Sequence, residues 1–244
     1  EDKIPTGKGI KIFDLGVGAN CIYPIVGTAE YGWRFVGVES NPRAFKSAKG
    51  IVAFNDHLRN KVEIRQQLDP SSFIQEVIRP NEFFDALPTN IYQKKENALY
   101  QKAVSIKDDE LDWLMIKDSN EEIINSNFFS HLSNGYTFEF SPIYRSWAHK
   151  IKGRLKKGAL IIVDYGFHDR EFFHHDRYEG TLMCYFKQHS NQNPFINLGQ
   201  QDISCHVNFS YLNNLLYDSL DLVGFVTQAN YLINAGILDL IKRK

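Results

Sequence analysis

From Lys11 to Leu15 the chain runs as a short, mostly apolar stretch, then breaks into the glycine-bearing turn Gly16-Val-Gly-Ala-Asn20. That pattern predicts a strand, a tight turn and a helix starting near Cys21. A second apolar run, Arg34–Val38, stops at Glu39. Pro42 then sits where a first-turn proline is tolerated, so Arg43 to Phe54 reads as a helix. Lys61-Val-Glu-Ile-Arg65 alternates as a third strand. This order of strands and helices argues a parallel sheet with right-handed crossovers. The fourth strand has two placements, Glu76–Arg79 leading into Asn81-Glu82, or Phe83–Leu87, and pattern does not separate them.

Between Ile91 and Asn134 the periodicity weakens, and charged residues mix with isolated aromatics. The stretch reads as an inserted lid or substrate segment, hairpin-like around Lys94-Lys-Glu-Asn97 and helical from about Asn120 to His131. The expected organisation is a cofactor-binding half (1–90), the insert (91–134) and a second half (135–244). The second half begins with a helix, Pro142–Lys157, closed by Gly158. A strongly apolar strand follows, Ala159–Val163, ending at Asp164-Tyr-Gly166. Beyond it lie a strand at Thr181–Phe186, a helix at Tyr211–Ser219, and a final strand and helix.

With 244 residues, 43% of them hydrophobic, the chain can fill one large α/β core without metal or disulfide staples. A formal net charge of −1 gives no support for a strongly nucleic-acid-binding surface. Cys21, Cys184 and Cys205 are far apart and odd in number, which excludes a disulfide framework or a Cys-x-x-Cys metal site. A reducing compartment follows: the cytoplasm, with the mitochondrial matrix as the alternative. No apolar run is long enough for a membrane span, and the start lacks the layout of a secretory signal. In His168–Arg177, adjacent histidines in an extended chain would point apart, so no metal is expected. Arg177 is read there as ordering a carboxylate.

The candidate chemistry begins at the first two strand ends. Gly16 and Gly18 let the backbone approach a ligand that a Cβ would exclude, and Glu39 stands where an acid can accept both ribose hydroxyls of an adenosine. The third glycine of a dinucleotide fingerprint is absent, and S-adenosylmethionine carries no phosphate to place on a helix N-terminus. An S-adenosylmethionine-dependent methyltransferase is therefore the first reading and a dehydrogenase the second.

Asp14-Leu-Gly-Val-Gly-Ala-Asn-Cys-Ile-Tyr-Pro24, followed by Glu30-Tyr-Gly-Trp-Arg-Phe35, resembles the bacterial ribosomal RNA adenine-N6 methyltransferases, over residues 1 to about 85. The resemblance implies that Asp14, Gly16, Gly18 and Asn20 line the methionine side of the cofactor and that Glu39 holds its ribose. That family carries Asn-Pro-Pro-Phe after its fourth strand, where the Asn and a prolyl carbonyl hold the adenine amino group; no Asn-Pro-Pro occurs here. From Asn81 onward the chain resembles the MidA-like methyltransferases, whose mitochondrial members methylate an arginine of a respiratory complex I subunit. The matching pieces are Asn81-Glu-Phe-Phe-Asp-Ala-Leu-Pro88, Asp164-Tyr-Gly166, Glu179–Tyr185, Gln201–Val207 and Thr227-Gln-Ala229. The chain thus reads as a join, near Asn81–Ala86, of two halves.

The resemblances imply a Rossmann-like class I methyltransferase with a seven-stranded, mostly parallel sheet, a terminal antiparallel strand and an inserted lid. The reaction expected is direct methyl transfer to a protein arginine nitrogen. Asn81 would serve the cofactor, Glu82, Asp85 and Asp164 would orient a guanidinium, and Tyr165 would shield the site. Competing with these roles, Glu82 and Asp85 could cap the following segment, and Asp164-Tyr-Gly166 could be a plain turn. His206 is expected to make a structural hydrogen bond. The basic run Lys150, Lys152, Arg154, Lys156 and Lys157 is expected to be a solvated helix face. The alternatives are ribosomal RNA adenine methylation, and a non-catalytic cofactor-binding scaffold or inactive hybrid.

Overall fold

The computed structural model describes residues 10–67 and 77–242. Residue 76, part of one expected fourth strand, lies outside them. The first half alternates β1 (Lys11–Leu15), α1 (Ile22–Tyr31), β2 (Arg34–Val38), α2 (Pro42–Phe54), the single turn α3 (Asp56–Arg59), β3 (Val62–Arg65) and β4 (Val77–Pro80). The entry to α2 is capped as its sequence demands. The Asn41 side chain accepts from the backbone N–H groups of Arg43 and Ala44, and Pro42 fills the position whose N–H would be orphaned.

A second block follows: β5 (Asn90–Lys95), β6 (Ala98–Lys107), β7 (Glu110–Asp118), the short α4 (Glu121–Ile124) and α5 (Asn127–His131), and β8 (Thr137–Phe140). The rest comprises α6 (Ile143–Arg154), β9 (Ala159–Leu160), β10 (Gly166–Phe167), α7 (Asp169–Phe172), β11 (Met183–Phe186), β12 (His189–Asn191), β13 (Asp202–Ser204), β14 (Val207–Asn208), α8 (Phe209–Leu216), α9 (Gln228–Asn234) and α10 (Ile237–Lys242).

The central sheet runs β3-β2-β1-β4-β9, every neighbouring pair parallel. Its strands are apolar on both faces because helices cover both. Phe13, Leu15, Val36 and Ile78 pack with Tyr144, Ala148 and Ile151 of α6 and Leu212 and Leu216 of α8. On the other face Ile12, Phe35, Val62 and Val77 pack with Ala48 of α2 and Leu58 of α3.

This architecture corrects the expected seven strands to five parallel ones among the described residues. Thr181–Phe186 does not join the central sheet; β11 sits between β12 and β13 in a separate antiparallel one. The expected final strand does not form either. Residues 221–227 have no regular structure, with Val223 almost fully exposed, and an apolar run without a neighbouring strand edge gains nothing from extension. Helix α6 stops at Arg154, ahead of the expected Lys157, so Lys156 and Lys157 follow it rather than share its face.

The fourth strand is settled. β4 ends at Pro80 and pairs with β1, with Arg79 opposite Asp14, while Phe83–Leu87 forms a turn that drives Phe84 into the core. The apolar run Ala159–Val163 lies along β4 throughout its length, Ile161 N–H donating to Ile78 and Val163 N–H to Pro80. That delivers Asp164 to the same sheet edge as Asn81.

The expected hairpin at Lys94–Asn97 is present as β5–β6, turning on Glu96 and Asn97, both left-handed. With β7 and β8 it makes an antiparallel sheet, and β8 was not legible in the sequence. Lys94 is buried there, its Nζ donating to the carbonyls of Phe129, Ser130 and Leu132 at 2.9–3.1 Å. One lysine thus satisfies the orphaned carbonyls at the end of α5. Among the described residues, no helix is long and apolar enough to cross a membrane.

Candidate cofactor and acceptor site

Parallel strands that end together leave their loops on one edge, and ligand crevices of open α/β sheets form there. β1, β2, β4 and the β9 extension bring nearly all the expected residues to this edge.

Gly16 and Gly18 adopt φ of 73° and 70°, a region that side chains rarely tolerate. A Cβ on Gly16 would also meet the Phe83 ring at 3.2 Å, so the turn lies directly against the loop after β4. The backbone N–H groups of Gly16 and Val17 both donate to Val38 O, tying the turn to β2. Glu39 closes it: one carboxylate oxygen accepts from Gly18 N–H at 3.1 Å, the other from Asn41 N–H at 2.8 Å. Asn20 is exposed at the far end of the turn.

Beneath the turn Asp14 is buried, and the cost of enclosing its charge pushes its carboxyl up to about 7, despite the opposing effect of Arg79. Arg79 and Tyr23 belong to this site too, and sequence pattern did not single them out. The Arg79 guanidinium lies 3.5 Å from the centre of the Tyr23 ring. Both side chains donate to Asn81 Oδ1, at 3.0 and 3.1 Å. No local motif marks a strand arginine stacked on a helix tyrosine.

The loop after β4 is built by Asp164. One carboxylate oxygen accepts from Phe83 and Phe84 N–H at 3.0 and 2.8 Å, the other from Tyr165 N–H at 2.9 Å. Asp164 is thus occupied as the organiser of the loop. Asp85 stands beside it, and burial together with the charges of Asp164 and Glu82 pushes its carboxyl up to about 7. Asp85 Oδ1 is buried without a hydrogen-bond partner. Asp164 is raised as well by burial, against the pull of the backbone N–H groups it accepts from. Glu82 is exposed in a left-handed conformation (φ 47°), which turns its carboxylate away from the core. Tyr165 is 59% exposed at the same edge.

The plain-turn alternative for Asp164-Tyr-Gly166 does not hold, because Gly166 pairs with β14. A Cβ at Gly166 would lie 2.1 Å from Val207 O. The Glu179-Gly-Thr-Leu stretch also finds a local reason. Glu139 of β8, fully enclosed, accepts from Thr181 N–H, Thr181 hydroxyl and Leu182 N–H, and Gly180 leaves room for its carboxylate. His206 makes a structural hydrogen bond through its backbone, the N–H donating to the Thr181 hydroxyl, while ring Nδ1 is buried without a partner. The histidine pair is corrected. His174 and His175 lie at a 3-10 turn rather than in a strand, so their rings tilt together 4.2 Å apart and both reach Asp176.

A parallel Rossmann-like sheet, a Gly-x-Gly turn closed by an acid on the next strand, and a carboxylate-rich loop after the fourth strand together define a methyltransferase of the S-adenosylmethionine-dependent class. A model of the family described as putative S-adenosyl-L-methionine-dependent methyltransferases matches residues 30–226. The chain belongs to that family.

Among curated proteins, ribosomal RNA large subunit methyltransferase F of Serratia proteamaculans is 51% identical over 90 residues, 37% of this chain and 27% of the relative. Its counterpart in Yersinia enterocolitica is 45% identical over 87 residues, 36% and 26% of the two chains. The match thus spans about a quarter of the curated relatives' length. A crystal structure from Burkholderia thailandensis, with bound S-adenosyl-homocysteine, superposes at a TM-score of 0.87 with 24% identity, over 97% of this chain and 62% of that one. It establishes the fold.

These relatives overturn the expected partner. The curated proteins are ribosomal RNA methyltransferases, not enzymes of a protein arginine, so an arginine-bearing protein is withdrawn as the partner. They are bacterial and lend the mitochondrial alternative no support. The join near Asn81–Ala86 gains no support either, since one family model runs straight through it.

Proposed function

We propose that this chain transfers a methyl group from S-adenosylmethionine to an amino nitrogen of an RNA base, with large-subunit ribosomal RNA the first candidate. The observation that carries the proposal is the position of Asn81-Glu-Phe-Phe84, directly after β4 and against Gly16. This sets Asn81 at the strand end where the RNA adenine enzymes that the chain resembles carry the asparagine of Asn-Pro-Pro-Phe, with Glu82 and Phe83 in place of the two prolines. The similarity of the first half to ribosomal RNA methyltransferases supports the same acceptor.

The site suits the cofactor by its own features: a turn in which Gly16 and Gly18 carry no Cβ, an acid at Glu39 for the ribose hydroxyls, and open polar atoms on Asp14 and Arg79. Once bound, the cofactor supplies a sulfonium-linked methyl group that a lone pair can take directly. The chain's residues have to present that lone pair. The exposed Glu82 carboxylate accepts a hydrogen of the amino group, and Asp85, poised near neutrality, takes the proton released, while Asn81 Oδ1, held by Arg79 and Tyr23, fixes the loop on which both stand. Phe84 is sealed in the core against Tyr144, so the exposed Tyr165 offers the ring on which a base can stack. Residues 1–90 would bind the cofactor, 91–134 would cover the substrate, and 135–244 would complete the fold.

Incubation with methyl-labelled S-adenosylmethionine and either deproteinised ribosomal RNA or ribosomal protein tests this reading. Label is expected in the RNA and is lost with Asn81→Ala. Label confined to protein, or none in RNA from a chain that binds the cofactor, would overturn it.

A further inference from the structure

Arg177 stands at the end of the 3-10 turn after α7, and its guanidinium lies 4.0 Å from the centre of the Phe167 ring. The nearest carboxylate for it to order is Glu171, and the two stop short, with Nη2 4.0 Å from Oε2. Among the described residues the guanidinium closes no hydrogen bond, although its side chain is only 24% exposed. A cation so far withdrawn from water ordinarily finds a fixed acceptor for some of its N–H donors.

The turn that carries it is fixed from both sides. Arg177 N–H donates to His174 O, Gly180 N–H to Arg177 O, and Thr137 N–H of β8 to Tyr178 O. A set backbone and a flat ring thus hold the guanidinium, so little freedom is lost when its donors are taken up. Phe167 gives its place in the site. That ring meets His206 edge-on, with centroids 5.0 Å apart. The neighbours of His206 hold the acceptor loops: Cys205 N–H donates to Asp85 O, and Val207 N–H to Tyr165 O. Phe167 is itself two residues from Tyr165, within about 7 Å of chain. Burial and the Arg177 charge both hold His206 below the usual histidine range, so the imidazole adds no second charge at neutral pH.

A guanidinium fork with open donors therefore stands beside the ring on which the acceptor base stacks. Such a fork fits a phosphodiester, whose two free oxygens it grips together. Contacts of that kind fix where a nucleic acid lies, whereas contacts to base edges decide which base is chosen. We infer that Arg177 anchors the acceptor strand, its guanidinium donating to the phosphodiester that flanks the base on Tyr165. The inference rests on the RNA reading above. Arg177 touches the acceptor but not the reacting nitrogen, so its loss acts on RNA affinity and leaves the cofactor alone.

The test is filter binding of deproteinised ribosomal RNA, with S-adenosylhomocysteine present, over about 50–200 mM salt. Each phosphate contact adds about 0.7–0.9 to the slope of log affinity against log salt. Arg177→Met should lower the slope by that amount, weaken RNA by about tenfold at the low-salt end, and leave S-adenosylhomocysteine affinity unchanged. Arg177→Lys should recover the slope but not all of the affinity, since an ammonium is a point charge without the fork. Arg34→Met, exposed at the start of β2 and so at the opposite edge of the sheet, should change neither. A slope indifferent to Arg177→Met, while RNA still binds, would overturn the anchor and leave the RNA reading standing. Equal loss of RNA and cofactor would mean that Arg177 only staples Phe167, and would overturn it too. If the unaltered chain binds the cofactor but no RNA, the RNA reading itself fails and the anchor with it.

Discussion

Two carboxylates, Asp14 buried and Asp85 half-buried, set what single residues do here. The folded chain holds the Asp14 proton up to about pH 7, whereas the ordinary value is 3.8. Folding therefore favours the protonated form, and the contribution of Asp14 to stability worsens as pH rises from about 4 to about 7. Asp14→Asn removes that cost. In urea unfolding the variant should gain on the parent chain at pH 8 and lose the advantage near pH 4, even as it forfeits cofactor affinity. A difference independent of pH would contradict the assignment. Asp85 is raised in the same way, by burial and by Asp164 and Glu82. As the acceptor of the released proton it must be ionised, so the methylation rate should climb with pH through about 7 and then level off. Asp85→Asn should abolish that rise and cut the rate by about 100-fold. A parallel profile at reduced height would show that Asp85 only shapes the loop.

At the scale of elements, the loops around the site depend on close backbone approach. Gly166 pairs with β14 so tightly that an alanine Cβ would fall 2.1 Å from Val207 O. Gly166→Ala should cost roughly 2–4 kcal/mol in chemical denaturation, as overpacking against backbone does, whereas Gly50→Ala, in open space on α2, should cost nothing. A stable Gly166→Ala chain would mean that β10 and β14 can separate without loss. β1 and β2 were legible to the residue because each is an apolar run bounded by a turn or a charge. β4 was not, because Asn81-Glu82 can either precede or follow a strand, and only pairing with β1 decides. The β6–β7 hairpin evaded the pattern for another reason. Ile106, Leu114, Met115 and Ile116 are exposed, on both faces, so no single buried face imposed alternation. β8 hid because its fully enclosed Glu139 reads as a solvent-facing position until the Thr181–Leu182 donors are seen around it.

For the whole molecule, the parallel sheet and its cofactor edge followed from the spacing of Asp14, the two glycines and Glu39, because a βαβ unit fixes where consecutive strand ends meet. The contribution of Arg79 and Tyr23 did not, since it arises only when α1 folds over β4. The acceptor was likewise out of reach of local motifs, because carboxylates such as Glu82 and Asp85 can accept hydrogens from an arginine or from a base amino group alike. The net charge of −1 gives RNA no overall attraction, so under the proposed function its contacts would rest on local basic groups such as those on and after α6. Everything in this account depends on the crevice between β1, β2 and β4 taking the cofactor. Calorimetric titration with S-adenosylmethionine of the chain, Glu39→Ala and Gly16→Val tests that most directly. The account predicts binding near the micromolar range, about −8 kcal/mol, abolished or weakened at least tenfold by either change. A chain that is folded by circular dichroism yet releases no heat, or binding indifferent to both substitutions, would contradict it.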